Sequence, residues 1–230
     1  MPGEGKHQRS YDFLLAPLER RLLPKLAEAL PAWVVPDHLT LLGLIASTGI
    51  GLSYYLSNHN EAWLWAASLL LVVNWFGDSL DGTLARVRRI ERPRYGFYLD
   101  HLMDAYSTFM IGMGLGLSPY MLLAVGLAIV IAYLLLSINV YLETHVFGEF
   151  NLGYALIGPT EVRVILIALN IIALEIGPLP FGIRGFGATV FDVVGVLGVF
   201  GMITMLCARA FQNLRTLARM EPPRRPTSAD

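Results

Sequence analysis

This sequence predicts an all-α integral membrane protein, a six-helix bundle preceded by an amphipathic interfacial helix, on three observations. Of 230 residues, 55% are hydrophobic and 15% charged, and the mean hydropathy of +0.55 is too apolar for an ordinary soluble domain. Apolar runs of about 20 residues, enough to cross a hydrocarbon core of roughly 30 Å, recur along nearly the whole length. The basic residues also fall on one side of a six-span topology.

In chain order, residues 11 to 35 mix Leu with Arg, Lys and Glu and are too charged to span. Leu15, Leu18, Leu22, Leu26 and Leu30 recur at steps of three or four, a stripe suited to a helix lying in the membrane interface, with Pro24 marking a bend. Residues 1 to 35 thus form a cytoplasmic N-terminus, with no apolar core and cleavage site of a removed signal peptide. In "VPDHLTLLG", Pro36 breaks the chain and Asp37 is the expected N-cap of the first span. The predicted spans are Leu39 to Ser57, Ala62 to Leu84, Tyr95 to Leu117, Tyr120 to Val146, Thr160 to Ile176 and Val190 to Phe211. They make residues 36 to 212 one transmembrane catalytic domain. "GPLPFGIRGFG" reads as an external loop, and residues 213 to 230 as a disordered cytoplasmic tail.

With the N-terminus cytoplasmic, sixteen of the 17 Lys and Arg fall on the cytoplasmic side and Arg184 alone outside. The protein is therefore expected to be multi-pass, with both termini and the active site cytoplasmic. A net charge of -1 implies no nucleic-acid partner, and the single Cys207 excludes an internal disulfide. Gly112, Gly114 and Gly116 in the third span suit close packing within the chain or against another protomer.

Four carboxylates stand out from this apolar background. Asp78 and Asp81, three apart, share a face at the cytoplasmic end of the second span; Asp100 and Asp104, four apart, share one near the start of the third. A short basic loop makes the two helices antiparallel neighbours, so the four acids converge. Unpaired, they would repel and take up protons. Oxygen-only donors suit hard divalent cations such as Mg2+, Mn2+ or Ca2+, and two of them would leave open positions for phosphates. Gly82, Ala85 and Gly96 lack bulk where a ligand could approach, and Arg86 is a planar phosphate donor. The alternatives are a proton or cation pathway, as in an ion transporter, or ion pairing with the Arg cluster.

These residues resemble a known signature. D-x2-D-G-x2-A-R followed by G-x3-D-x3-D, here Asp78, Asp81, Gly82, Ala85, Arg86, Gly96, Asp100 and Asp104, is similar to that of the CDP-alcohol phosphotransferases. Nine residues separate Arg86 from Gly96 where eight are usual, a difference expected to alter the turn and not the pocket. "VPDHLTLLG" resembles the family's P-N-x-L-T start of the first helix, with Asp37 in place of Asn.

The resemblance implies transfer of a substituted phosphoryl group from a CDP-linked donor to an alcohol, with release of CMP and two divalent metals. It implies Asp78, Asp81, Asp100 and Asp104 as metal ligands, Asp104 alternatively as base. Gly82, Ala85, Arg86, Gly96 and Thr40 would line the nucleotide or substrate site, and the enzyme would be a homodimer. His101 after the third Asp looks like the D-H-x-x-D of the choline/ethanolamine branch, and "PTEV" like that branch's T-E-V, which carries over Glu161 as partner of the histidine. That favours a CDP-choline- or CDP-ethanolamine-like donor and a diacylglycerol-like acceptor. The alternative is CDP-diacylglycerol with a small alcohol such as inositol phosphate, glycerol phosphate or serine, with Arg163 as anion receptor. From another class, an ion transporter or a noncatalytic lipid-binding relative remains an alternative. Ordinary roles stand beside the dyad: His101 as a hydrogen-bond donor near the metals, and Glu161 as a helix N-terminal stabiliser. Glu143 and His145, also near the cytoplasmic face, are alternative members of such a dyad but are expected to face headgroups.

Overall fold

A computed structural model describes residues 13–147, 158–177, 180–183 and 186–222. Lys6, Arg9, Arg184, Arg224 and Arg225 of the orientation argument lie outside these residues, as does most of the connection before residue 158. The helices are α1 (Ala16–Ala29), α2 (Pro36–Leu56), α3 (Trp63–Arg88), α4 (Pro93–Gly116), α5 (Leu123–Phe147), α6 (Pro159–Ile176) and α7 (Val190–Met220). Three of them begin with Pro at their first position, where the missing N–H is no loss and the fixed φ suits a helix.

Four helices, α2, α3, α5 and α7, are long and apolar enough to cross a membrane. α4 and α6 match the other two predicted spans in extent, but α4 carries Arg94, Asp100 and Asp104, and α6 carries Glu161, Arg163 and Glu175. Composition alone therefore supports four spans, not six.

The first three bundle helices approach so closely that side chains are excluded at their crossings. A Cβ on Gly77 would lie 2.6 Å from the Leu39 carbonyl oxygen, and one on Gly114 would lie 2.5 Å from Gly51 Cα. A Cβ on Gly126 would lie 2.5 Å from the Gly112 carbonyl oxygen, so α5 is held equally close to α4. Gly112 and Gly114 thus serve packing within the chain. Buried Ile50, Tyr54, Leu64, Leu71 and Leu169 form the larger apolar core. Inside it, Tyr54 donates to Asn170 Oδ1 at 3.1 Å and Asn170 to Ser68 Oγ at 3.0 Å, so these buried polar groups are satisfied.

α1 packs Leu23, Leu26, Ala27 and Leu30 against Leu39, Phe76, Leu80 and Leu84, while Leu18 and Leu22 of the predicted stripe stay exposed and Pro24 sits inside the helix. Several other local expectations need correction. Asp37 is not the cap of α2; Val35 occupies that position, and Asp37 pairs with Arg92 across the α3–α4 turn. The Gly/Pro-rich segment includes an antiparallel hairpin, β1 (Pro180–Ile183) with β2 (Phe186–Thr189). Thr189 then caps α7, accepting from Phe191 N at 3.1 Å while Asp192 accepts from Thr189 N at 2.8 Å. α7 continues to Met220, so residues 213–220 are helical and not tail. Asn213 explains the extension, since its amide donates to Glu143 Oε1 on α5 at 2.6 Å.

Candidate active site

The end of the bundle carrying the acids is tied together from four helices. Arg88 closes α3 and gathers the α1–α2 linker, donating to the carbonyls of Leu30 and Pro31 at 2.9 Å each, and to those of Ala32 and Val34. α3 then ends on Arg89 in the left-handed conformation, φ 57°. That turn accommodates the nine-residue spacing. α3 and α4 are not the packed neighbours expected from the short loop, since both lie against α2, yet Asp100 of α4 lines one cleft with Asp78 and Asp81 of α3.

Within the cleft the acids differ in how far they are already committed. Asp81 accepts from Thr40 Oγ1 at 2.7 Å and from Gly82 N at 2.5 Å, which fixes both its oxygens and links α2 to α3. Asp78 Oδ2 accepts from Arg163 of α6 at 2.7 Å. Arg163 Nε in turn donates to Asn74 Oδ1 at 2.9 Å, and Asn74 Nδ2 to the Gly43 carbonyl at 2.9 Å. Asp104 stands within electrostatic reach of Asp78, Asp100, Asp81 and Arg163. Three of the four acids, Asp78, Asp81 and Asp100, thus line one cleft. Arg163, which binds Asp78, and Asn74, which steadies Arg163, have no place in this cluster by sequence. Asn74 has no motif to mark it, and Arg163 lies 85 residues from the acid it pairs with.

Of the small residues, Gly82 would place a Cβ no nearer than 3.4 Å, from Arg86, and a Cβ on Gly96 would meet nothing within 4 Å. Internal packing thus explains Gly77 but neither of these two. Ala85 is partly buried, whereas Arg86 is exposed and donates to Thr83 Oγ1 at 3.0 Å. The donor set suits a hard cation, being all oxygen and gathered in one cleft. Among the described residues, however, no three His, Cys, Asp or Glu side chains are close enough to hold an ion as they stand.

The predicted dyad is not formed. His101 Nδ1 lies 2.7 Å from the Phe97 carbonyl oxygen, and the ring packs against Phe97 and Tyr141 at centroid distances of 4.2 and 5.0 Å. A carbonyl only accepts, so neutral His101 carries its proton on Nδ1 and its lone pair on Nε2. Glu161 is buried elsewhere, accepting from Gly158 N at 2.9 Å and from Leu15 N at 2.7 Å. It caps α6 and fastens the start of α1. The physical reason is local: the four leading N–H groups of a helix need acceptors, and a carboxylate at the third position supplies one. Glu143 does not face headgroups either; it is 7% exposed and bound by Arg209, Asn213 and Asn139.

The sequence is also similar to known proteins. Residues 33–210 match the CDP-alcohol phosphatidyltransferase family model. Cholinephosphotransferase 1 of Danio rerio is 27% identical over 191 residues, 76% of this chain and 48% of that protein. An uncharacterized CDP-alcohol phosphatidyltransferase class-I family protein 2 of Dictyostelium discoideum is 27% identical over 197 residues, 80% of this chain and 45% of the other. Phosphatidylinositol phosphate synthase of Cutibacterium acnes is 31% identical over 98 residues, 42% of this chain and 45% of its own length. The chain spans about half the length of these curated relatives. The match covers α2 to α6 and most of α7, the whole acid cleft included, and four of these helices are apolar enough to cross a bilayer. The chain is an integral membrane protein and belongs to the CDP-alcohol phosphatidyltransferase family.

Proposed function

We propose that this protein transfers a substituted phosphoryl group from a CDP-linked donor to an alcohol, releasing CMP, in phospholipid synthesis. The observation that carries the proposal is the cleft itself: Asp78 and Asp81 line it from α3 and Asp100 from α4, two helices that both pack on α2, beside two glycines whose missing side chains internal packing does not require. Asp78, Asp81, Asp100 and Asp104 would hold two divalent cations, Mg2+ or Mn2+, whose charge would offset that of the donor's diphosphate. Gly82, Ala85, Arg86, Gly96 and Thr40 would bind nucleotide or substrate, Thr40 by orienting Asp81.

The acceptor hydroxyl would lose its proton to His101 Nε2, or to Asp104, as its oxygen attacks the phosphorus remote from cytidine. The bond from that phosphorus to the CMP oxygen then breaks. His101 would act without Glu161, oriented instead by the Phe97 carbonyl. By analogy with cholinephosphotransferase 1, the donor would be a CDP-choline- or CDP-ethanolamine-like molecule and the acceptor a diacylglycerol-like lipid. The similarity to phosphatidylinositol phosphate synthase supports the alternative, CDP-diacylglycerol with a small soluble alcohol. All six of α2–α7 would span the bilayer, with both termini and the cleft on the cytoplasmic side, where the Arg-rich α3–α4 turn also lies. A homodimer would have to form through faces other than the one Gly112 and Gly114 occupy.

The test is CMP release by detergent-purified protein with Mg2+ or Mn2+. One arm supplies CDP-choline or CDP-ethanolamine with diacylglycerol, the other CDP-diacylglycerol with soluble alcohols. Turnover in the first arm, lost in Asp100→Asn and His101→Ala, is expected. Turnover in the second arm alone would overturn the donor assignment, and none in either would overturn the transferase.

A further inference from the structure

Arg163 is a buried cation inside an otherwise acidic cluster. It comes from α6, donates to Asp78 Oδ2 at 2.7 Å, and is steadied by Asn74 Oδ1 at 2.9 Å. The Arg163 side chain is 11% exposed and that of Asp78 is 25% exposed, so solvent screens this pair far less than a surface pair. Asp104 also feels its charge. The oxygen that Arg163 occupies belongs to one of the carboxylates that line the cleft, so a cation approaching Asp78 meets a positive group already in place.

Four carboxylates against one guanidinium leave a formal excess of three negative charges. Two divalent cations would turn that into a surplus of one positive charge, whereas without Arg163 they would only neutralise the acids. We infer that Arg163 competes with divalent cations for Asp78 and supplies the surplus charge that draws a diphosphate, so that it couples cation binding to donor binding. This inference rests on the transferase function proposed above. In the nucleotide-free protein Arg163 weakens cation binding; with a diphosphate present the same charge favours the filled site. Because linkage is reciprocal, whatever Arg163 adds to the effect of nucleotide on cation affinity it adds equally to the effect of cation on nucleotide affinity.

The experiment measures Mn2+ binding to the detergent-purified full chain by the electron paramagnetic resonance of free Mn2+, with and without CDP. Without nucleotide, Arg163→Gln should bind Mn2+ roughly tenfold more tightly than wild type, since a like charge a few ångströms away is gone. CDP should then tighten Mn2+ binding several-fold less in Arg163→Gln than in wild type. Arg163→Lys, which keeps the charge, should stay within about twofold of wild type. Asn74→Ala, which removes the Nε anchor but keeps the charge, should shift Mn2+ affinity in the same direction by a smaller factor, and it carries the test if Arg163→Gln is not recovered folded. Equal or weaker Mn2+ binding by Arg163→Gln, or by Asn74→Ala where that variant carries the test, overturns the coupling role. If wild type still releases CMP with Mn2+ in that case, only this inference fails; if wild type neither binds Mn2+ nor releases CMP, the proposed function fails with it.

Discussion

Among the described residues, the two carboxylate–guanidinium pairs that are largely shielded from solvent are built to different ends. Glu143 on α5 is saturated: Arg209 of α7 reaches both oxygens, Nε at 2.9 Å, while Asn213 and Asn139 donate at 2.6 and 2.7 Å. Asp78 on α3 has one oxygen bound by Arg163, and its side chain is three times as exposed as that of Glu143, 25% against 8%. A buried charge is costly unless fully paired. Glu143 meets that condition with protein groups alone and locks α5 to α7. Asp78 meets it in part and opens on a cleft shared with Asp81 and Asp100. Burial alone therefore does not set an acid in this bundle apart; Asp78 differs from Glu143 in being partly satisfied and in lying beside other acids.

The comparison breaks most decisively at Asp100. Asp100→Asn should lower CMP release about a thousandfold, equivalent to about 4 kcal/mol of transition-state stabilisation, while melting temperature in detergent moves little. A variant that turned over like wild type would place the chemistry elsewhere. Next comes the saturated acid: Glu143→Ala leaves Arg209 buried without its carboxylate and should destabilise the fold by about 3 kcal/mol. Thermal unfolding reads this directly, and kcat of the surviving folded fraction should match wild type. Loss of kcat without loss of stability would mean that Glu143 serves the reaction after all.

A smaller effect is expected where helices touch backbone to backbone. Gly77→Ala forces a Cβ to within 2.6 Å of the Leu39 carbonyl and should cost about 1–3 kcal/mol through displacement of α2 from α3. Because α2 carries Thr40 and α3 carries Asp81, the Michaelis constant for donor should rise as well. Glu161→Gln keeps one acceptor oxygen and should cost about 1 kcal/mol, with kcat close to wild type, in contrast to His101→Ala. If the two variants lost kcat together, the separation of Glu161 from His101 would be wrong for the working enzyme. Smallest of all is the solvent-exposed Asp37–Arg92 pair, where Arg92→Ala should change stability by less than about 1 kcal/mol.

The stability differences among these variants follow from what local sequence could not express. Helix positions were legible because apolar runs bounded by Pro and Gly have few other solutions: α2 through α6 begin and end within a few residues of the predicted spans. The meeting of Asp78, Asp81 and Asp100 in one cleft was legible too, since they lie close along the chain. α1 was legible as a helix, but which of its residues pack on the bundle was not, because only the groove formed by Leu39, Leu80 and Leu84 selects Leu23, Leu26, Ala27 and Leu30.

Sequence by itself determined an apolar helical bundle with a cluster of aspartates at one end, since hydropathy and helical periodicity are properties of adjacent residues. Tertiary structure alone decided the partners. Arg163 found Asp78, Thr40 found Asp81, and Arg209 found Glu143 across separations of 85, 41 and 66 residues. Glu161 went to the backbone of α1 and α6 and not to His101. The reason is physical: a charge buried in a bundle takes whichever donors the helix packing brings to it, and which helices meet is set by the glycine crossings and cores that only the folded chain assembles.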